Sequence, residues 1–295
     1  MNLLFRKIYI PLINSNRFMK LDDYTRISEL CSDHGCEELT KKGRVYVASF
    51  SPEHRPLSSD LEEAIEKEWE KEIAKDRASG REPLNNKFVR VLSHERVNGD
   101  IGLNLGLTDW KHYNGAKKIN SPELIWGIGT AGFTYFINQK TGERTYVFAT
   151  RDTTKVTDIG GKLETPPAGY LDPTMLTNRS LGESFLFYKD FEREFEEEIG
   201  LPKDRIVSSD LINLIRIPRT HDYSVDFSLE VKTTAEELQE GFKKGKKYGG
   251  EHSGHFLVPE HELSSFVEKY SQIMPPRTKC DIKNYLLAHS EITEH

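Results

Sequence analysis

Three carboxylates, Glu194, Glu197 and Glu198, stand at positions i, i+3 and i+4 of the run Arg193-Glu-Phe-Glu-Glu-Glu-Ile-Gly-Leu201. Helical residues at that spacing share one face. Like charges gathered there repel unless something offsets the cost. A hard dication with oxygen ligands does so, which makes the trio a candidate metal-ligand set. The competing reading is a solvated acidic face. An ordinary surface helix, however, interleaves Lys four residues after Glu, and only Arg193 stands within this cluster.

The elements around the trio are legible too. Phe191, Phe195 and Ile199 recur every fourth residue and predict a helix with a narrow apolar stripe. Gly200 is placed for a left-handed cap, Leu201 for folding back on the last turn, and Pro202 for stopping the helix. At about 100° per residue, the three glutamates lie along one flank of the stripe. Glu192 and Glu196 fall on the other, toward solvent.

This run resembles the second half of the Nudix box, R-E-U-x-E-E-x-G-U, where U is bulky aliphatic or aromatic. Arg193, Glu194, Glu197, Glu198 and Gly200 match the fixed positions, with Phe195 and Leu201 at U. The first half departs from the pattern. Phe185 and Arg179 stand where the family has Glu and Gly, and Gly169 and Glu183 substitute only if the loop carries insertions. Fainter similarity to the UDP-glucose-cleaving branch lies in Leu105-Gly-Leu-Thr-Asp-Trp110, Glu251-His-Ser-Gly and Met274-Pro-Pro-Arg-Thr-Lys.

The resemblance implies a metal-dependent hydrolase acting on a nucleoside diphosphate linked to another moiety, such as a nucleotide sugar (UDP-glucose) or ADP-ribose. It implies Mg²⁺, or Mn²⁺, on Glu194, Glu197 and Glu198, with Arg193 orienting a carboxylate. The general base in this family is often a Glu outside or at the edge of the box. Glu251 is the candidate, and His252 and Glu230 compete with it. Arg151, ending a strand, is a candidate phosphate contact, and Gly169 a point where backbone approaches substrate. Trp126, Tyr135 and Tyr170 are candidates for stacking on a base. A non-catalytic nucleotide-binding or regulatory module on the same fold is the alternative. An isomerase would want a cysteine near the box, and none is there.

With 295 residues the chain can bury a real core, as one large domain or two modest ones. A formal net charge of −6 lacks the basic footprint of a nucleic-acid binder. No apolar run approaches the roughly 20 residues that cross a bilayer, and Arg6 and Lys7 break the N-terminal apolar stretch. The expectation is a soluble, cytoplasmic protein taking a small nucleotide substrate. Three cysteines argue against a disulfide framework. Cys31, His34 and Cys36 lack the second ligand pair that zinc wants.

The expected fold class is α/β: a Nudix-type α/β/α sandwich with a mixed sheet over 121–290, preceded by an α+β region over 1–120. That first region is expected either to wall the pocket or to form a homodimer contact. Asn98-Gly99 predicts a hairpin between 88–92 and 101–105. Thr233-Thr-Ala-Glu236 reads as a capping box. Residues 160–183, rich in Gly and Pro, read as a long loop.

Overall fold

A computed structural model of the chain describes residues 21–31, 35–40, 43–54, 57–78, 80, 84–121, 125–153, 160–176, 185–247 and 252–290. The elements run α1 (Leu21–Leu30), β1 (Glu37–Thr40), β2 (Val45–His54), α2 (Ser59–Ala78), β3 (Lys87–Val97), β4 (Asp100–Asp109), α3 (Trp110–Lys118), β5 (Trp126–Ile137) and β6 (Arg144–Arg151). They continue with β7 (Leu163–Glu164), β8 (Ala168–Tyr170), α4 (Phe185–Glu194), β9 (Ile206–Ile217), β10 (Asp222–Val231), α5 (Ala235–Lys247), β11 (His252–Pro259), α6 (Leu263–Tyr270) and α7 (Pro276–Ser290).

The longest path through the sheet is β1-β9-β10-β5-β3-β4-β2. It is mixed: β10 runs parallel to β5 and β2 parallel to β4, while β9–β10 and β3–β4 are antiparallel. Strand β5 is the hub. One of its edges pairs with β10, and three partners share the other. Trp126 and Gly127 pair with β3, Gly129–Ala131 with β8, and Tyr135–Ile137 with β6. Through the β3 pairing, strands from the first 120 residues join the same sheet as the rest.

Helices cover both faces, giving the layered α/β sandwich that alternating helical and strand periodicities require. On one face the apolar stripe of α4 and its continuation (Phe191, Phe195, Ile199, each 0% exposed) meets Ile128, Leu214, Val225 and Leu229, with Leu238 and Phe242 of α5 alongside. On the other, Tyr285 and Ile282 of α7 and Val267 of α6 pack on Phe133, Tyr146 and Phe148. A smaller cluster joins α2 and α3 through Leu61, Ile65, Phe88 and Tyr113.

Three expectations are refined. The hairpin forms as read, with Asn98 (φ 52°) and Gly99 (φ 89°) in its turn. The capping box lies one residue later than Thr233–Glu236: the Glu237 N–H donates to Thr234 Oγ1 at 3.2 Å, and the Thr234 N–H to Glu237 Oε2 at 3.1 Å. The loop 160–183 carries structure of its own, because β7 and β8 add short antiparallel pairings to β6 and β5. Among the described residues no helix is long and apolar enough to cross a membrane.

Candidate functional site

The helix bearing the glutamates is α-helical only to Glu194 and continues as a π turn over Phe195–Ile199, which Gly200 closes with φ 73°. The uniform α-helical spacing expected of this run is therefore corrected. A π turn is wider, so each residue advances less around the axis. Glu198 then comes round above Glu194, while Glu197 falls short and to the side. The distribution of the three carboxylates follows from this. Glu194 is 9% and Glu198 8% exposed, whereas the Glu197 side chain is 54% exposed.

Glu194 and Glu198 converge on successive residues of β8. The Ala168 N–H donates to Glu198 Oε2 at 2.9 Å. At Gly169 the missing side chain is what admits Glu194, since a Cβ there would collide with both carboxylate oxygens. Gly169 thus serves a close approach by a protein carboxylate, where a close approach by substrate was expected.

Cations hold this pair from two sides. Arg193 Nη2 donates to Glu194 Oε1 at 2.6 Å and to Asp190 Oδ1 at 2.9 Å, and Nη1 to Glu197 Oε2 at 2.9 Å. Arg193 thus pairs with three carboxylates of its own helix and turn. Arg151, at the end of β6, is 4% exposed. It faces Glu198 with Nη1 at 3.3 Å from Oε1, ion-pairs with Glu164, and donates to the Ala168 carbonyl. It lies beneath the carboxylates and does not line the cleft described below.

Burial and the neighbouring Glu198 push the Glu194 carboxyl up to about 8, against the pull of Arg193. A carboxyl raised this far favours its protonated form at neutral pH. Glu164 shows the opposite balance. Burial alone would raise it, but Arg151, His252 and Arg277 outweigh that and hold it at about 2. His252 Nε2 lies 3.0 Å from Glu164 Oε1, so this competitor for the base is buried in the support of the site. Glu230 sits on β10 near the Tyr135 hydroxyl, away from the cleft. Glu251 and Glu183 lie outside the described residues. Among the described residues no three His, Cys, Asp or Glu side chains stand ready to hold a metal ion.

A cleft of about 570 Å³ opens beside Glu194 and Arg193. Its walls come from both parts of the chain: Leu84, Asn86, Lys87, Phe88 and Trp110 on one side, and Tyr170–Pro173 on the other. Five residues between 84 and 110 thus line the cleft. Of the aromatics expected there, only Tyr170 lines it. Trp126 stacks under the Arg216 guanidinium and Tyr135 packs against Tyr285. Sequence reading missed Trp110, Phe88 and Asp190. A signal for Asp190 existed: it stands four residues before Glu194 on the same helical line. It is fully buried and accepts from Arg193 and from the Asp172 N–H.

Comparison with solved structures finds matches that span about half of this chain and nearly all of theirs. A mutT/nudix family protein from Listeria innocua is 19% identical over 56% of this chain and 95% of its own, at TM-score 0.39. The NUDIX domain of Shewanella oneidensis NrtR, solved with ADP ribose, is 11% identical over 57% and 89%, at 0.37. A C. elegans Ap4A hydrolase is 10% identical over 56% and 98%, at 0.34. The likeness is to Nudix-fold proteins. No family model matches the chain, and no curated protein does.

Proposed function

We propose that this chain is a divalent-metal-dependent hydrolase that cleaves the diphosphate of a nucleoside diphosphate linked to a second moiety, a nucleotide sugar or ADP-ribose being the leading classes. One observation carries the reading: two carboxylates, Glu194 and Glu198, are buried together against the backbone at 168–169, and Glu194 also lines a cleft of about 570 Å³. Such a pair costs free energy that a dication removes.

The donor set fits Mg²⁺ or Mn²⁺, because it is all oxygen and Glu194 reaches the cleft. Glu194 and Glu198 are the residues that would hold the ion, with Glu197 reaching it by leaving Arg193. Bound there, the ion would neutralise diphosphate oxygens and lower the pKa of a water. The chain's own residues do the positioning. Arg193 fixes Glu194, Arg151 and the Ala168 N–H fix Glu198, and Glu164 holds Arg151 in turn. Glu194 must release its proton before the site carries full charge. Glu251, in the segment before β11, remains the candidate base.

A second reading, a nucleotide-sensing module without turnover, draws support from Glu197, which is exposed and tied to Arg193. Incubation with Mg²⁺ and a panel of UDP-sugars, ADP-ribose and dinucleoside polyphosphates separates the two. Hydrolysis should release a nucleoside monophosphate, vanish in Glu198→Gln, and fall by a smaller factor, on the order of tenfold, in Glu197→Gln. Binding without hydrolysis of any panel member would favour the sensor. Turnover persisting in Glu198→Gln would remove the site assignment.

A further inference from the structure

Two of the three cysteines meet outside the candidate site. Cys36 stands one residue before β1, and Cys280 lies on α7. Strand β1 pairs antiparallel with β9, Glu37 opposite Arg216 and Glu38 opposite Ile215. Continued one residue outward, that register sets Cys36 against Ile217. Ile215 and Ile217 pack on Cys280, and Cys36 joins the same cluster. The two thiols are hydrogen-bonded to each other, so the sulfurs are in direct contact. From one turn along α7 the Asn284 amide donates to Cys280 Sγ at 3.2 Å and holds that sulfur in place.

The two thiols differ in access. Cys280 is fully buried, whereas Cys36 is half-buried beside the end strand of the sheet. The hydrogen bond with Cys36, and burial after it, push the Cys280 thiol far up. A shielded thiol that keeps its proton reacts poorly with a reagent from solution, so first attack belongs to Cys36. The third cysteine, Cys31, is fully buried in a different cluster, the one that holds Ile27 and Tyr285. Burial pushes its thiol up to about 12.

We propose that Cys36 and Cys280 form a redox-modification site, which a small-molecule disulfide such as glutathione disulfide converts to a reversible intramolecular bond fastening β1 to α7. The Cys36 thiolate attacks one sulfur of glutathione disulfide. A mixed disulfide forms, and one glutathione leaves as its thiolate. Cys280 then gives up its proton and attacks Cys36 Sγ, expelling the second glutathione. Two protein thiols are oxidised, one glutathione disulfide is reduced, and the two protons end on the two glutathiones. The second step is intramolecular, between sulfurs already in contact, which offsets the low thiolate fraction of Cys280. The fastened helix also carries Arg277, 3.4 Å from Glu164 Oε2, and so braces the support of the acidic pair. None of this depends on the hydrolase reading.

The test is oxidation of the full, folded chain in EDTA. The protein is reduced, freed of reductant and incubated with glutathione disulfide. It is then denatured in excess maleimide, its mass is measured and its peptides are mapped. The reduced chain should take up three maleimides, one at each cysteine. The oxidised chain should take up one, at Cys31, with Cys36 and Cys280 in a single cross-linked peptide, and dithiothreitol should return all three thiols. Cys36→Ser, its fold checked by circular dichroism, should keep both remaining thiols through the same treatment. An oxidised wild-type chain that keeps three thiols, that carries glutathione stably on Cys36, that bridges Cys31, or that links two chains through Cys36 would overturn the proposal. So would loss of the Cys280 thiol in Cys36→Ser as fast as in the wild type.

Discussion

Glu194→Gln isolates the electrostatic cost of the site. In the folded chain this carboxyl is pushed up to about 8, from an ordinary 4.5, by burial first and by Glu198 second. The native state thus keeps a proton that the unfolded chain gives up. The stability this contributes is fully present below pH 4.5 and is lost as pH rises through about 8. At 1.36 kcal/mol per unit, the wild-type chain loses on the order of 4 kcal/mol between pH 5 and pH 9 that the glutamine variant keeps. For a chain of this size that is roughly 5–10 °C in melting temperature. The assay is thermal unfolding of both proteins in EDTA from pH 5 to pH 9. Near pH 5 the two should melt together, and at pH 9 the variant should melt higher. Added Mg²⁺ or Mn²⁺ should then raise the wild-type chain more than the variant. Equal melting temperatures at pH 9, or a gap that ignores pH, would refute the burial of Glu194 against Glu198.

Gly169→Ala places a Cβ on the Glu194 carboxyl. It should cost about 1–3 kcal/mol in denaturant unfolding and abolish metal-dependent protection, as thermal unfolding with and without Mn²⁺ would show. Glu164→Gln removes the acid that Arg151, His252 and Arg277 share. It should destabilise the chain by about 3–5 kcal/mol at pH 7. Because Glu164 is held down at about 2, its contribution is present above pH 4.5 and is lost as pH falls toward 2, so the gap between wild type and variant in urea melts should narrow on acidification. Thr234→Ala deletes one arm of the observed capping box and should cost about 1 kcal/mol. Thr233→Ala should cost less.

The layers of the fold were readable because they rest on period and punctuation. The four-residue stripe Phe191, Phe195 and Ile199 became the buried face of the box helix, and Asn98-Gly99 made its hairpin. The contribution of β7 and β8 was not readable, since two- and three-residue strands carry no period of their own. At the site, chemistry was clearer than geometry. The glutamate spacing marked the cluster, but whether the last turn is α or π depends on how the chain packs beyond it, where Gly200 and Gly245 meet the backbones of α5 and of the π turn. That choice decides how far Glu197 swings from the face that Glu194 and Glu198 share. The burial of Arg151 was hidden for a similar reason. A strand-end arginine looks exposed until Glu164, 13 residues on, folds back over it through the β6–β7 pairing. The aromatic lining of the cleft needed Phe88, Trp110 and Tyr170 to meet across three elements distant in sequence.

Titration of Mn²⁺ into the metal-free chain, followed by the loss of the free-ion signal in electron paramagnetic resonance, tests the pairing of Glu194 with Glu198 as a metal site most directly. The wild-type protein should sequester the ion, more tightly at pH 8.5 than at pH 6.5 as Glu194 gives up its proton. Glu194→Gln and Glu198→Gln should each lose that binding while Glu192→Gln keeps it. A wild-type chain that leaves Mn²⁺ free, or variants that bind it as well as the wild type, would contradict the assignment.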